Sequence, residues 1–505
     1  MNELLQYLPG QINQALGSLV YFVPEVYLTI LFIVVLLTDL MFGKDSAWIC
    51  RILACAGLLF IFVNDIQQIH FFKSAYNPFL FGDMLVFQYS GVIFKAGIDI
   101  LSFILLLYFP WDVQLSKHKK GLSDLYLIVI VAVLGLHLMV MAVNLLAIFL
   151  AIEMVSIASY LLAAYHTENA FSAEGGLKYV LFGAVASAVM LYGISLIYVF
   201  TGSLKLYTPE LYNGMLLQGL VHTNSLAVSI ALILVFAGIG FKLSFVPMHF
   251  WVPDVYEGAA TPITAWLSTL PKIAAFALLL NFIKPIAGLP NWQSLNIKET
   301  LAVMGIITMI AGNFAAVWQT NIKRILAYSS IGHTGFGLMA VAAYSQQAES
   351  SLIFYLFVYA IANIGALTLT TFFANVSEAK DLKDYSGLGL KYPVAAVCFV
   401  IILISLTGLP ISGGFNGKLL VFSAVYSSYQ QNHEQLLLYL LITGAVTTVV
   451  SLFYYIKIPL YLFIKKSERT LERNQSPFYV LLFVILVALV VILLGIFPQM
   501  LSKFI

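Results

Sequence analysis

Two apolar stretches, each long enough to cross a bilayer, lie side by side between residues 227 and 284, and both carry a lysine near the middle. The first runs through GIGFKLSFVPMHFWVPDVYEG, with Lys242, Pro247 and Pro253; the second, TPITAWLSTLPKIAAFALLL, has Lys272 directly after Pro271. A proline cannot donate to the carbonyl four residues back, so Pro247 frees the carbonyl of Leu243 and Pro271 that of Leu267. Lipid satisfies neither group, and a lysine at membrane depth costs about 2.5 to 3.5 kcal/mol even on the mildest insertion scale. Each lysine has roughly ten residues of span on both sides, too many for its ammonium to snorkel to the headgroups. The pattern predicts two broken helices, each with its lysine beside the break, facing a hydrated and functional interior.

Composition agrees. Of 505 residues, 61% are hydrophobic and 10% charged, against about 25% charged in a soluble domain. The fold class is therefore an all-α polytopic membrane protein whose first partner is the lipid bilayer, and the net charge of +2 points to no nucleic acid. Cys50, Cys55 and Cys398 show no Cys-x-x-Cys spacing and no acidic or histidine companions, so neither an iron–sulfur cluster nor another metal site is expected. The first eighteen residues lack a basic n-region and a cleavage site, so the first span is expected to stay in the mature protein.

Spans of roughly 20 residues are expected near 19–42, 47–64, 92–112, 124–142, 144–165, 176–200, 227–254, 262–284, 299–319, 322–344, 350–375, 392–428, 434–462 and 477–501, fourteen in all. If the loop after the first span is cytoplasmic, Lys73, Lys95, Lys205, Lys284, Lys298 and Lys503 fall on the outer side. Lys242, Lys272 and Lys418 fall in the membrane, and the other sixteen lysines and arginines fall on the cytoplasmic side. That bias puts both termini outside. The outer connection 65–91 contains MLVFQYS, whose period of two suits a short hairpin.

The lysine-and-break pattern recurs in LISLTGLPISGGFNGKLLVF, where Pro410 interrupts the span, glycines allow close backbone approach, and Lys418 follows. These are spans seven and twelve, five apart, and an odd shift reverses orientation in the membrane. The expected organisation is thus a three-helix segment (1–123), a repeat of helices 4–8 (124–284), an inverted repeat of helices 9–13 (285–462) and a last helix 14 (463–505). Paired broken segments in two halves point to an ion pathway. The fifth span, NLLAIFLAIEMVSIASYLLAAY, has Glu153 at its centre with Ser156 and Tyr160 on one helix face, expected to look inward. The tenth contributes Tyr328, Ser329, Ser330 and His333. His137, His249 and His333 offer no pair spaced for haem; His249, His333 and Tyr328 are candidate proton relays, and His137 is expected to be packing.

The segments GIGFKLSFVPMHFWVPDVYEGAATPITAWLSTLPKIA, NIKRILAYSSIGHTG and GLPISGGFNGK closely resemble the antiporter-like membrane subunits of respiratory complex I, the proton-pumping NADH-quinone oxidoreductase, over roughly 124–460. Within that family, lysine at 418, fourteen spans and a chain ending after one final span match the subunit without a long lateral helix. The resemblance implies that Glu153 pairs with Lys242, and that Lys242, Lys272 and Lys418 continue a charged proton-translocating axis along the midplane. It implies a translocase subunit with no redox centre of its own: NADH, FMN, iron–sulfur clusters and quinone belong to partner subunits, and the neighbours are other membrane subunits. No G-x-G-x-x-G follows a strand here, in keeping with that. The implied location is the bacterial inner membrane, ahead of the thylakoid. A subunit of a multi-subunit cation/proton antiporter or of a membrane-bound hydrogenase shares these motifs, and a structural subunit without a proton path is the reading of another class.

Overall fold

The computed structural model describes residues 2–43, 46–70, 78–117, 121–206, 225–287, 296–466 and 478–505. Lys44, Lys73, Lys119, Lys120, Arg469 and Arg473, which enter the topological count, lie outside the described residues. The chain is almost wholly helical. Helix α1 (Asn2–Leu19) precedes the first span and was not expected. The first spans are α2 (Val23–Phe42), α3 (Ala47–Gln68), α4 (Tyr89–Tyr108), α5 (Ser123–Met141), α6 (Leu145–Ala163) and α7 (Ala170–Thr201). Between α3 and α4 the expected hairpin forms from β1 (Phe79–Leu80) and β2 (Leu85–Val86), with Phe79 opposite Val86.

The seventh crossing is broken where Pro247 requires it: α8 (Ser225–Leu243) ends one residue after Lys242, the backbone is irregular over 244–251, and a short α9 (Val252–Gly258) follows. The eighth corrects the expectation of a break at Lys272. Helix α10 (Thr261–Ala287) runs without interruption through Pro271, because the carbonyl of Leu267 that Pro271 leaves free accepts from the Tyr256 hydroxyl at 3.3 Å. A proline in a membrane helix needs only a substitute donor, and α9 supplies it from outside the helix.

Helices α11 (Ile297–Val317), α12 (Ile322–Ala343) and α13 (Gln346–Ser377) come next. The twelfth crossing splits as expected into α14 (Pro393–Thr407) and α15 (Gly413–Asn432). Gly414 makes the reconnection feasible, since a Cβ there would collide with the carbonyl of Ser405. Helices α16 (Gln435–Tyr455), α17 (Lys457–Phe463) and α18 (Phe478–Ile496) follow, and a single turn, Gln499–Ser502, comes after them. Among the described residues, thirteen helical segments are long and apolar enough to cross a membrane, and the two-part α14–α15 is consistent with a fourteenth crossing.

The bundle has a definite centre. All of the apolar window of α10 is buried, as are 94% of those of α12 and α13, whereas only 17% of that of α2 and 33% of that of α18 are. Three helices shielded from lipid on every side have no reason to be apolar throughout, and they carry the polar side chains described next.

Candidate functional site

Lys242, Lys272 and Lys418 are all buried, at 2%, 2% and 4% exposure, and none of them meets a carboxylate among the described ion pairs. Lys242, at the end of α8, has an ammonium without a hydrogen-bond partner. It stands over the rings of Tyr160 on α6 and Tyr179 on α7, at 5.8 and 5.9 Å from their centroids, near the outer limit of a cation–π contact. Tyr179 is held by stacking on Trp251 at 4.3 Å. The Leu243 carbonyl, freed by Pro247, accepts from Thr334 Oγ1 at 2.9 Å.

Thr334 also accepts from Lys272. The Lys272 Nζ donates to the Ser330 carbonyl at 2.9 Å, to Ser330 Oγ at 2.7 Å and to Thr334 Oγ1 at 3.0 Å. All three acceptors lie on one turn of α12, so the break beyond Lys242 and the ammonium of Lys272 share one hydroxyl. Ser330 Oγ in turn accepts from the Tyr359 hydroxyl at 2.8 Å.

His333 lies one turn along α12. Its Nδ1 is 2.6 Å from the Tyr355 hydroxyl and its Nε2 3.3 Å from that of Tyr455. Two cavities of about 10 Å³, each room for one water, flank it. One is lined by Lys272, Ser330, Thr334, His333, Tyr355 and Tyr359. The other is lined by His333, Tyr355, Tyr359, Ser405, Gly414 and Lys418. His333, Tyr355 and Tyr359 belong to both. At the far end, Lys418 donates to the Thr407 carbonyl at the end of α14 at 2.8 Å and lies 4.7 Å from the centre of the Phe336 ring.

Glu153 departs from expectation. Ser187 donates to its carboxylate, no ion pair joins it to Lys242 among the described residues, and it is half-buried on the α6 face that also exposes Leu150, Ile157 and Leu161. Ser156 and Tyr160 turn towards the core side, whereas Glu153 lies on the lateral face of α6, without direct contact to Lys242 yet close enough for its charge to act on that ammonium. His249 lies in the irregular segment 244–251, half-buried, with Nδ1 lacking a partner. Tyr328 is half-buried and lines neither cavity; the tyrosines beside His333 are Tyr355, Tyr359 and Tyr455. The first two were legible as a stripe, because Tyr355, Tyr359 and Asn363 repeat at helical spacing through an otherwise apolar span, and Asn363 donates to Ser268 Oγ at 2.6 Å.

A second buried polar group was missed. Glu25, Asp65, Lys95, Asp99 and His137 meet between α2, α3, α4 and α5, all at 1% exposure or less. Lys95, assigned above to the outer side, is inside the bundle, and His137 is not packing but a bridge between carboxylates.

At the end of the bundle away from the hairpin, Asp254 of α9 receives Lys178 of α7 at 2.6 Å and Arg324 of α12 at 2.9 Å. Burial pulls its carboxyl up, but the hydrogen bonds from Lys178 and Arg324 prevail and hold it below the usual range. A lowered carboxyl contributes stability that is present at neutral pH and lost as the pH falls through the folded-state value. Asp254→Asn is expected to cost about 1 kcal/mol, the modest size reflecting partners that are about a third exposed. Thermal unfolding of the two forms in lipid discs at neutral and acidic pH checks this; the difference should shrink in acid.

The fold and site together define a many-spanning membrane protein with titratable side chains lined up through two interrupted helices. The family model described as NADH:quinone oxidoreductase/Mrp antiporter, TM, matches residues 142–451. NADH-quinone oxidoreductase subunit N 2 of Chloroherpeton thalassium is 37% identical over 474 residues, covering 91% of this chain and 89% of that protein. Subunit N of Chlorobium chlorochromatii is 35% identical over 498 residues, covering 97% and 94%. Among solved structures, a chain of respiratory complex I from Thermus thermophilus superposes with a TM-score of 0.74 at 28% identity, over 95% of this chain and 98% of that one. The chain belongs to the NADH:quinone oxidoreductase/Mrp antiporter transmembrane family.

Proposed function

We propose that this chain serves as the proton-translocating, N-type antiporter-like membrane subunit of an NADH-quinone oxidoreductase in a bacterial inner membrane. The observation that carries the reading is the row of three buried lysines without carboxylate partners, joined through Thr334, Ser330 and His333. Ammonium groups so placed contribute nothing to stability that methionine would not, and they are tolerated where they do work. A buried ammonium can exchange its proton; the hydroxyls of Ser330 and Thr334 lie at hydrogen-bond distance from Lys272, and the two cavities, each with room for one water, connect it past the His333 imidazole to Lys418. In this reading Lys242, Lys272 and Lys418 carry protons in turn and His333 bridges the last two. His249 and Tyr328 serve at most at the entrances.

The repeats 124–284 and 285–462 supply one broken helix each, as an inverted pair would. Glu153, on the lateral face of α6, is suited to sensing a neighbouring membrane subunit: a rotation that turned it towards Lys242 would hold the proton there, and its withdrawal would release it towards Lys272. Oxidation of NADH, by FMN and iron–sulfur clusters, and reduction of quinone are assigned to partner subunits.

Glu153→Gln tests the coupling. The variant complex is expected to assemble, retain NADH oxidation by its soluble part, and lose most coupled quinone reduction and proton uptake, on the order of tenfold or more in rate. Reconstituted vesicles with a pH-sensitive dye read the uptake, and full pumping by an assembled variant would refute the coupling role.

A further inference from the structure

The cluster in the N-terminal helices plays no part in the row just described and is as thoroughly buried. Lys95 Nζ lies 2.9 Å from Glu25 Oε1, 3.1 Å from Asp65 Oδ1 and 3.3 Å from Gln68 Oε1. His137 lies between two carboxylates, with Nδ1 3.1 Å from Glu25 Oε1 and Nε2 3.0 Å from Asp99 Oδ1. These are the charged groups that α2, α3, α4 and α5 bring to the cluster; on α10, packed against α4 and α5, Asn281 is bonded to the Val140 carbonyl at 2.7 Å.

Counting charge is informative. An ionised carboxylate only accepts hydrogen bonds, so an imidazole between two of them donates from both nitrogens and is cationic. Three carboxylates against Lys95 and His137 then leave one negative charge in excess. If His137 were neutral, one carboxyl would have to donate to it, and the total would be the same. Three of the six carboxylate oxygens meet no donor, Glu25 Oε2, Asp65 Oδ2 and Asp99 Oδ2, while Asp65 Oδ1 faces the Lys95 ammonium at 3.1 Å. An unpartnered carboxylate oxygen at zero exposure is a costly vacancy for a donor.

A metal ion does not fit that vacancy. Asp65, Asp99 and His137 do come within 4.8 Å of one another, but both imidazole nitrogens are taken by carboxylates. The Lys95 ammonium already gathers the oxygens of Glu25, Asp65 and Gln68 that a cation would use. A second cation beside it would be repelled, whereas a proton needs only one free oxygen.

We propose that Glu25, Asp65, Lys95, Asp99 and His137 form a second proton-binding site, which takes one exchangeable proton onto the free oxygens of Asp65 or Asp99. The proton comes from the aqueous phase: an O–H bond of hydronium breaks, leaving water, as one O–H bond forms on the carboxylate, and release reverses the step. The source is the aqueous face at the hairpin end. Glu25 is in the first turn of α2, Asp65 in the last turn of α3, Lys95 in the second turn and Asp99 at the middle of α4, and His137 near the C-terminal end of α5. Those ends gather around β1–β2, whose Met84 carbonyl accepts from Val143 at 3.1 Å. The Lys242–Lys418 row is not needed for any part of this.

Infrared spectra of the full chain in lipid discs, titrated from alkaline to acidic pH, test it directly. The expected result is a protonated-carboxyl C=O band that grows as the pH falls, shifts in D₂O, and moves when aspartate side-chain carboxyls are labelled with ¹³C. Asp65→Asn or Asp99→Asn should remove it, and Lys272→Met and Lys418→Ala should leave it, which separates this site from the proposed translocation row. A wild-type spectrum with no such titrating band, or a band that ignores aspartate labelling, overturns the proposal without relying on any variant. Loss of the band on adding sodium at fixed pH, with proton release, would show a cation site instead.

Discussion

In Lys272→Met, proton uptake by reconstituted vesicles during NADH oxidation is expected to collapse while the bundle stays folded. Methionine fills nearly the same volume and removes the ammonium. The groups it abandons keep other partners: Ser330 Oγ still accepts from Tyr359, and the one Thr334 hydroxyl hydrogen is shared between the Leu243 and Ser330 carbonyls, at 2.9 and 3.1 Å. Loss of stability should therefore be small, and the thermal midpoint close to that of the parent. What disappears is the ammonium that, among the described residues, stands between the Leu243–Thr334 link and the cavity at His333. Removing a positioned proton carrier slows transfer by roughly a hundredfold or more, so the uptake that passes through this chain should become undetectable against the leak. The measurement is initial uptake per NADH oxidised, with quinone-reductase turnover recorded in parallel. Wild-type values of both in an assembled Lys272→Met complex would take Lys272 off the path.

Lys418 gives the second large effect, and here the geometry distinguishes two replacements. Lys418→Ala removes the carrier, leaves the Thr407 carbonyl without the donor now 2.8 Å away, and widens the cavity shared with His333. Uptake is expected to fall about as far as in Lys272→Met, with a stability loss of about 1 to 3 kcal/mol for the orphaned carbonyl. Lys418→Glu retains a protonatable group. Its ionised form faces a carbonyl oxygen and the negative face of Phe336, an unfavourable site; its protonated form can donate to Thr407 as the lysine does. Partial uptake that increases as the pH is lowered is the expected outcome. Equal, wild-type proton-to-electron ratios in the two variants would make Lys418 structural, and equally severe loss at every pH would mean that the positive charge itself is required.

The main row was legible because contrast makes it so. A lysine or a proline in an apolar run is conspicuous, and Lys242, Lys272, Lys418, Pro247 and Pro410 all stood out before any contact was known. The rest of the site was harder to read where partners come from other helices. Tyr355 and Tyr455 flank His333 from α13 and α16, more than twenty and one hundred residues away. Pro271 reads as a helix break from its own segment, yet the Tyr256 hydroxyl, delivered by α9, lets the helix pass. The N-terminal cluster escaped because four helices contribute to it. Glu25 and Asp65 each sit close to a helix end, where a charge passes for an interfacial one, and Lys95 reads as a loop cation.

Sequence alone determined that this chain lies in a membrane, where two crossings break, and which lysines are buried among apolar spans. Those properties follow from local hydropathy and from the missing amide hydrogen of proline, both fixed residue by residue. Only the tertiary structure decided which way Glu153 faces, that His333 rather than Tyr328 lies between Lys272 and Lys418, and that five scattered charges converge beneath the hairpin. A side chain's direction and its partners depend on how helices rotate and pack against one another, and span patterning constrains that rotation weakly when nearly every face of a helix is apolar.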